Sequence, residues 1–231
     1  MSKLRRFLNQ IAEFVRPRHF LETLEDRATV RIAEQVIDDA AYVTTDIEDF
    51  WGFSASQVEK AGGTCFEFGV FEGTSINFFA RSLGMEIHGF DSFEGLPSGG
   101  GVWQKYFDSS TFDRKGELPE VEDNVTLHKG WISDTLPAFI AANEIQSAAF
   151  IHIDTDVYPS AYTVLENLAP FIRPGTVIVF DELCNYKGYY LHEYQAFIRF
   201  LKKYGHDFEI LAVCSVGTQY GNFLKVATRI R

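Results

Sequence analysis

The stretch FEILAVCSVGTQYGNFLKVAT (Phe208–Thr228) decides the fold. Two apolar runs, Phe208–Ser215 and Asn222–Thr228, flank a short polar turn, Gly217–Gly221. A turn that short cannot carry a parallel crossover, so the two runs form an antiparallel pair. Working backward, five earlier apolar runs read as strands: Thr64–Val70, Glu86–Phe90, Asn124–His128, Ala148–Ile153 and Thr176–Phe180. Helical spacing fills most of the gaps, at Thr74–Leu83, Ile132–Asn143, Ser160–Phe171 and Leu191–Tyr204. Strands separated by long, mostly helical connections predict an α/β fold, a parallel sheet with helices on both faces.

A doubly wound α/β sheet finished by an antiparallel hairpin is the seven-stranded, Rossmann-like methyltransferase architecture. Residues 61–231 are expected to form that domain. Residues 1–60 read as a helical lid or oligomer-contact segment, with Leu21, Leu24, Ala28, Ile32 and Val36 on one helical face. Leu4, Phe7, Leu8, Ile11, Phe14 and Val15 make a similar face earlier. Residues 1–20 carry five basic groups and one acid, whereas residues 21–60 carry three basic groups and ten acids.

Composition narrows the function classes. The 231 residues are 46% hydrophobic and 23% charged, a globular balance that excludes disorder and collagen-like repeats. Lys and Arg number 21 against 32 Asp and Glu, a net charge of −11, which argues against a nucleic-acid partner. Neither a signal-peptide core nor an apolar run of about 18 residues occurs, so no membrane role is expected. Three scattered cysteines, Cys65, Cys184 and Cys214, without a C-x-x-C, point to reduced thiols and a cytoplasmic location. Cys65 and Cys214 sit in apolar runs as core residues. The surplus to be explained is acidic and aromatic, with 22 Phe.

In FEFGVFEGTS (Phe66–Ser75), a strand runs through Gly69 and Gly73 into a helix. The spacing is G-x-x-x-G rather than the G-x-G-x-x-G of dinucleotide binders. Glu67 puts a carboxylate near the turn, which favours a cationic ligand group such as the amine or sulfonium of S-adenosylmethionine. The second strand ends near Asp91, 24 residues on, where an acid is placed to bond ribose hydroxyls. Trp131, after the third strand, is positioned to cover an adenine face.

The fourth strand, AFIHIDTDVYPS, carries Asp154 and Asp156 at its C-terminal end, and the fifth, GTVIVFDEL, carries Asp181 and Glu182. Ligands of open α/β sheets bind outside those strand ends. Four converging carboxylates would repel one another unless a hard cation, Mg²⁺ or alternatively Ca²⁺ or Mn²⁺, lay among them.

Together EFGVFEGTS, FDSFEGLP, KGWISDTLP, HIDTDVYPSAYTVLENLAPFIRPG and FDE resemble the macrocin O-methyltransferase family. These metal-dependent enzymes use S-adenosylmethionine to methylate sugar hydroxyls of macrolides and related natural products. The resemblance runs from about Glu67 to Glu182. It implies a cofactor site of Glu67, Gly69, Gly73, Thr74 and Ser75 at the methionine end, Asp91 and Ser92 at the ribose, and Gly130 and Trp131 at the adenine. It implies metal ligands Asp154, Asp181 and Glu182, with Asp156 beside them. The family more often has two aspartates or Asp-Asn where this chain has Asp181 and Glu182, and the lysine base of catechol-type relatives is missing after Asp154.

The acceptor is then expected to be a small hydroxylated molecule, planar or glycosylated, walled by aromatics of Glu94–Val121, which include Trp103 and Tyr106, and of Asn185–Tyr190. The cation lowers the pKa of the acceptor hydroxyl, and Asp154 or Asp156 takes its proton; His192, beside Glu193, is a second candidate base. A nicotinamide-dependent oxidoreductase and a non-catalytic adenosyl-binding or assembly protein are the competing readings. Homo-oligomerisation through the N-terminal helices is a further expectation.

Overall fold

A computed structural model describes residues 17–59, 62–97, 110–218 and 221–231. The face read from Leu4 to Val15, together with Trp103 and Tyr106, lies outside the described residues. The elements are α1 (Pro17–Asp38), β1 (Tyr42–Thr44), α2 (Ile47–Ser56), β2 (Thr64–Phe68), α3 (Thr74–Leu83), β3 (Ile87–Asp91) and β4 (Val125–Lys129). After them come α4 (Ile132–Ala142), β5 (Ala148–Ile153), α5 (Tyr158–Leu168), β6 (Val177–Cys184), a 3₁₀ turn (Tyr189–Leu191), α6 (Glu193–Tyr204), β7 (Phe208–Thr218) and β8 (Gly221–Ile230).

One sheet runs in the order β1-β7-β8-β6-β5-β2-β3-β4. β8 pairs antiparallel with both β6 and β7, and the remaining pairs are parallel. The hairpin read from Phe208–Thr228 is therefore in place. The strand order reverses between β2 and β5, and a switch of this kind opens a crevice beyond the strand carboxyl ends. That crevice receives the ends of β2, β3, β5 and β6.

The sheet has eight strands rather than the seven expected. The extra one, β1, lies within the stretch read as wholly helical. Tyr42-Val43-Thr44 is β-branched and aromatic, and the exposed edge of β7 offers it a parallel partner, with Tyr42 opposite Ala212. Asp46 then restarts the helix, its Oδ1 accepting from the Glu48 and Asp49 amides at 2.9 and 3.0 Å. On α1, Ile32 and Val36 pack on the core as their spacing predicts, but Ala28 is exposed and Thr29 and Ala33 are buried instead.

The phenylalanine surplus is largely core. Phe66, Phe68, Phe90, Phe150 and Phe180 on the strands, with Phe79, Phe197 and Phe200 on the helices, are all essentially buried. Phe68 stacks on Phe90 with ring centroids 5.1 Å apart, and Phe79 meets Phe150 at 4.7 Å. Such pairs add about 0.5–1.5 kcal/mol each beyond their buried area and hold β2, β3 and β5 firmly beneath the crevice. All three cysteines are free and buried, and burial pushes the thiols of Cys65 and Cys184 up to about 12.

Candidate functional site

A cavity of about 530 Å³ lies over the strand ends. Of the residues expected from the sequence, Gly69, Asp91, Ser92, Trp131, Asp154, Asp156, Asp181 and Glu182 line it. Glu67, Gly73, Thr74, Ser75, Gly130 and His192 do not. The N-terminal part of the chain contributes Ile47 to the wall.

Gly69 is where the cofactor-type turn meets the acidic strand. Its φ is +87°, and a Cβ there would lie 1.7 Å from the Asp154 carbonyl oxygen. Only glycine adopts that conformation without strain while permitting so close a backbone approach. Asp154 is held in turn by its amide, which donates to the Phe68 carbonyl at 2.9 Å. Gly73, φ +85°, opens α3 with no side-chain cap; Thr74 is exposed beside it.

Asp91 is tied to the same turn. Its Oδ2 accepts from the amides of Val70 and Phe71 at 2.8 and 2.9 Å, and its Oδ1 from the Phe93 amide at 2.7 Å. Three backbone donors fix the carboxylate at the cavity wall; Oδ2 accepts two of them, and Oδ1, accepting one, keeps room for a further donor. Ser92 Oγ accepts from the Glu94 amide at 3.1 Å. Gly130, φ +138°, turns the chain so that Trp131 stands 40% exposed on the wall.

Glu67 sits deeper than its proposed role requires. It is fully buried, and its Oε1 accepts from Ser75 Oγ at 2.8 Å while its Oε2 bonds His152 Nδ1 at 2.9 Å. Glu67 and His152 are register partners across β2 and β5, so the pairing follows directly from the sheet. Burial raises the Glu67 carboxyl, against the pull of His152 and Ser75. Sequence reasoning passed over His152, although it lies two residues before Asp154 and so points to the same side of the strand.

The acidic cluster converges as expected. Burial, then Asp181 and Asp156, push Asp154 well above its ordinary range. Asp156, at a positive φ of 60° uncommon outside glycine, is raised to about 7 by burial and then by Asp181. Burial, then Asp181 and Asp154, also raise Glu182 well above its usual range. Asp181 behaves oppositely: burial would raise it, but the Lys225 ammonium draws it below its ordinary value. Lys225, from β8, ion-pairs with Asp181 Oδ2. That lysine was also missed, because nothing in NFLKVAT marks it until β8 is seen to lie beside β6.

Two neighbours brace the cluster from behind. Glu193, 1% exposed, reaches the Thr155 amide with Oε1 and the Glu182 amide with Oε2, each at 3.4 Å. Burial, then Asp181, raise it to about 8. His192, buried outside the cavity wall, bonds the Asp156 carbonyl oxygen through Nδ1 at 3.0 Å. It holds Asp156 in its strained turn rather than facing the space where an acceptor would sit.

The residues present suit a hard cation. The described wall carries five carboxylates against one ammonium, Lys225, and Glu182 Oε2 is buried with no hydrogen-bond partner among the described residues. Buried carboxylates in that state hold protons or a metal. His152, Asp154 and Asp181 offer ligand atoms all within 4.8 Å of one another.

Comparison with known proteins places the chain in a family. A family model described as "Methyltransferase domain" matches residues 66–183. An 8-demethyl-8-(2,3-dimethoxy-alpha-L-rhamnosyl)-tetracenomycin-C 4'-O-methyltransferase of Streptomyces olivaceus is 30% identical over 149 residues, covering 52% of each chain. The chain thus spans about half the length of this curated relative. Among solved structures, the O-methyltransferase NovP aligns at a TM-score of 0.55 with 18% identity, over 79% of both chains. CalS11, a TDP-rhamnose 3'-O-methyltransferase of calicheamicin biosynthesis, aligns at 0.50 with 21% identity, over 98% of this chain and 86% of its own. At those identities the structural likeness shows the fold. Among the described residues no helix is long and apolar enough to cross a membrane.

Proposed function

Because the chain belongs to this methyltransferase-domain family, we propose that it moves a methyl group from S-adenosylmethionine to a hydroxyl of a small, sugar-bearing acceptor with the help of a divalent cation. One observation carries the reading: a single cavity joins the Gly69 turn and Asp91 to Asp154, Asp156, Asp181 and Glu182. The first group is what an adenosyl ligand requires, and the second is what a cation and a base require. The tetracenomycin and calicheamicin enzymes act on rhamnosyl sugars by their names, which supports a glycosylated acceptor here.

S-adenosylmethionine supplies an electrophilic methyl group on its sulfonium, and Mg²⁺ or a similar ion supplies positive charge that makes a nearby hydroxyl more acidic. In this chain the Gly69 turn and Asp91 would hold the donor, with Trp131 against its adenine. Glu67 and Ser75 support that turn from beneath it rather than touching the ligand. Asp154, Asp181 and Glu182 would hold the cation. Asp156, on the cavity wall beside the residues that would hold the cation, is the candidate general base, and His192 fixes its backbone. Most of the rate would come from orienting the hydroxyl against the methyl group. Residues 1–60 would form a lid, with Ile47 already at the wall.

The test is release of S-adenosylhomocysteine from the wild type, incubated with a panel of rhamnosyl glycosides and nucleotide rhamnoses with Mg²⁺ or with EDTA. Turnover is expected only with the cation. Asp156→Asn and Asp181→Ala should bind S-adenosylhomocysteine as the wild type does and lose turnover. Full activity of either variant in EDTA would overturn the cation-assisted mechanism. A tryptophan-fluorescence titration that responds to NADH and not to S-adenosylmethionine would favour an oxidoreductase.

A further inference from the structure

We propose that the Nε2 atom of His152 is a direct ligand of the cation, which makes the centre a mixed nitrogen–oxygen site rather than an all-oxygen one. This rests on the cation-dependent reading above and refines which ion it takes. His152 is fully buried on β5. Its Nδ1 faces the Glu67 carboxylate at 2.9 Å, and Glu67 is held on its other oxygen by Ser75. A carboxylate partner places the ring proton on Nδ1 and leaves a lone pair on Nε2. That nitrogen has no hydrogen-bond partner among the described residues. It faces Asp181 Oδ1, another acceptor, at 3.9 Å, too far for a hydrogen bond.

Two buried acceptors facing each other across such a gap call for a cation between them. Lys225 does not fill it, because it is engaged with the other oxygen, Asp181 Oδ2. Each carboxylate oxygen of Asp181 thus has its own cationic partner, the ammonium at Oδ2 and the proposed ion at Oδ1. Asp154 completes the set within 4.8 Å. The Glu67–His152 pair is the arrangement in which a carboxylate fixes the tautomer and orientation of a metal-binding imidazole. Ring contact with Phe79, centroids 5.1 Å apart, holds the imidazole plane from the other side.

A nitrogen ligand changes ion preference. Mg²⁺ and Ca²⁺ select oxygen donors, whereas imidazole suits first-row transition ions. The site should therefore favour Mn²⁺, Co²⁺ or Zn²⁺ over Mg²⁺.

The experiment is pulsed electron paramagnetic resonance on the full-length protein loaded with Mn²⁺. The wild type should show coupling to one imidazole ¹⁴N, replaced by a ¹⁵N signal when histidine is ¹⁵N-labelled. His152→Gln should lose the coupling and bind Mn²⁺ at least tenfold more weakly, while His192→Gln keeps the coupling. The isotope exchange needs no variant to fold, so the test stands even if His152→Gln does not. Mn²⁺ bound without nitrogen coupling would overturn the inference and leave the cation-dependent reading intact. No Mn²⁺ binding by the wild type would overturn both.

Discussion

Gly69→Ala adds one methyl group at the join between the donor turn and the acidic strand. Its Cβ would lie 1.7 Å from the Asp154 carbonyl oxygen, whereas real contacts of this kind do not fall below 3.0 Å. Backbone must therefore move by about 1.3 Å, and neither side is the free end of a side chain. The Gly69 amide donates to Phe90 at 3.0 Å and the Asp154 amide to Phe68 at 2.9 Å, so the shift also strains two ladder bonds. The left-handed conformation adds about 1–2 kcal/mol for any residue with a Cβ. With the two weakened hydrogen bonds losing about 1.5 kcal/mol between them, the loss centres on about 3 kcal/mol, or about 6–12 °C in Tm for a chain of this size.

Gly205→Ala is the internal control. Its φ is +72°, yet a Cβ there meets nothing within 4 Å. It should lose only the conformational cost, about 1–2 kcal/mol, and keep the site. Calorimetry would follow both variants for Tm and for binding of S-adenosylhomocysteine and Mn²⁺. Gly69→Ala should fall furthest in Tm and weaken both ligands, since Gly69 and Asp154 both line the cavity and would move together. Equal Tm losses in the two variants, or unchanged ligand binding in Gly69→Ala, would refute the claim that this close approach sets the position of Asp154.

Asp156 and Glu193 hold their protons more tightly in the folded chain, at about 7 and about 8 against ordinary values of 3.8 and 4.5. Their contribution to metal-free stability is complete below the ordinary carboxylate range and is lost as pH rises through 7 and 8; Asp181, shifted downward, acts the other way only at low pH. Tm in EDTA should thus fall between pH 5.5 and 8.5, and saturating Mn²⁺ should flatten the decline; a rise with pH would contradict the assignment. Lys225→Met leaves Asp181 Oδ2 without its ammonium, so the variant should lose about 3–5 kcal/mol near pH 8 and gain more than the wild type from added Mn²⁺, as read by thermal melts. Trp131→Ala should weaken S-adenosylhomocysteine by about 3–10-fold, the worth of one aromatic stack, and hardly change Tm because the ring is 40% exposed. Asp91→Asn turns an NH₂ toward backbone N–H donors that now meet carboxylate oxygens, so it should cost about 1–3 kcal/mol in denaturant unfolding and weaken the same ligand.

Periodicity made the sheet legible because the central strands of the domain are apolar on both faces and bounded by turn residues. The single turn Gly217–Gly221 was enough to set β7 and β8 antiparallel. β1 escaped because three residues carry no period, and their strand conformation depends on a distant edge of β7. The acids at the ends of β5 and β6 were legible for a topological reason: strand ends of an open sheet meet at one crevice. His152 and Lys225 were not, since one depends on the register of β2 against β5 and the other on β8 lying beside β6. The sequence placed Glu67 at the right turn, but it could not show that Ser75 and His152 occupy both oxygens. His192 looked like a base from its neighbours in the chain, and burial turned it into a support for Asp156.

The most direct test is a crystal structure of the wild type grown with S-adenosylhomocysteine and Mn²⁺, with data collected at the manganese edge. The expected result is the adenosyl ligand in the cavity, its ribose at Asp91 and its amino-acid end at the Gly69 turn, with an anomalous peak among Asp154, Asp181 and Glu182 and His152 Nε2 on the same ion. An adenosyl ligand bound elsewhere, or a cavity that holds it with no metal peak at those residues, would contradict it.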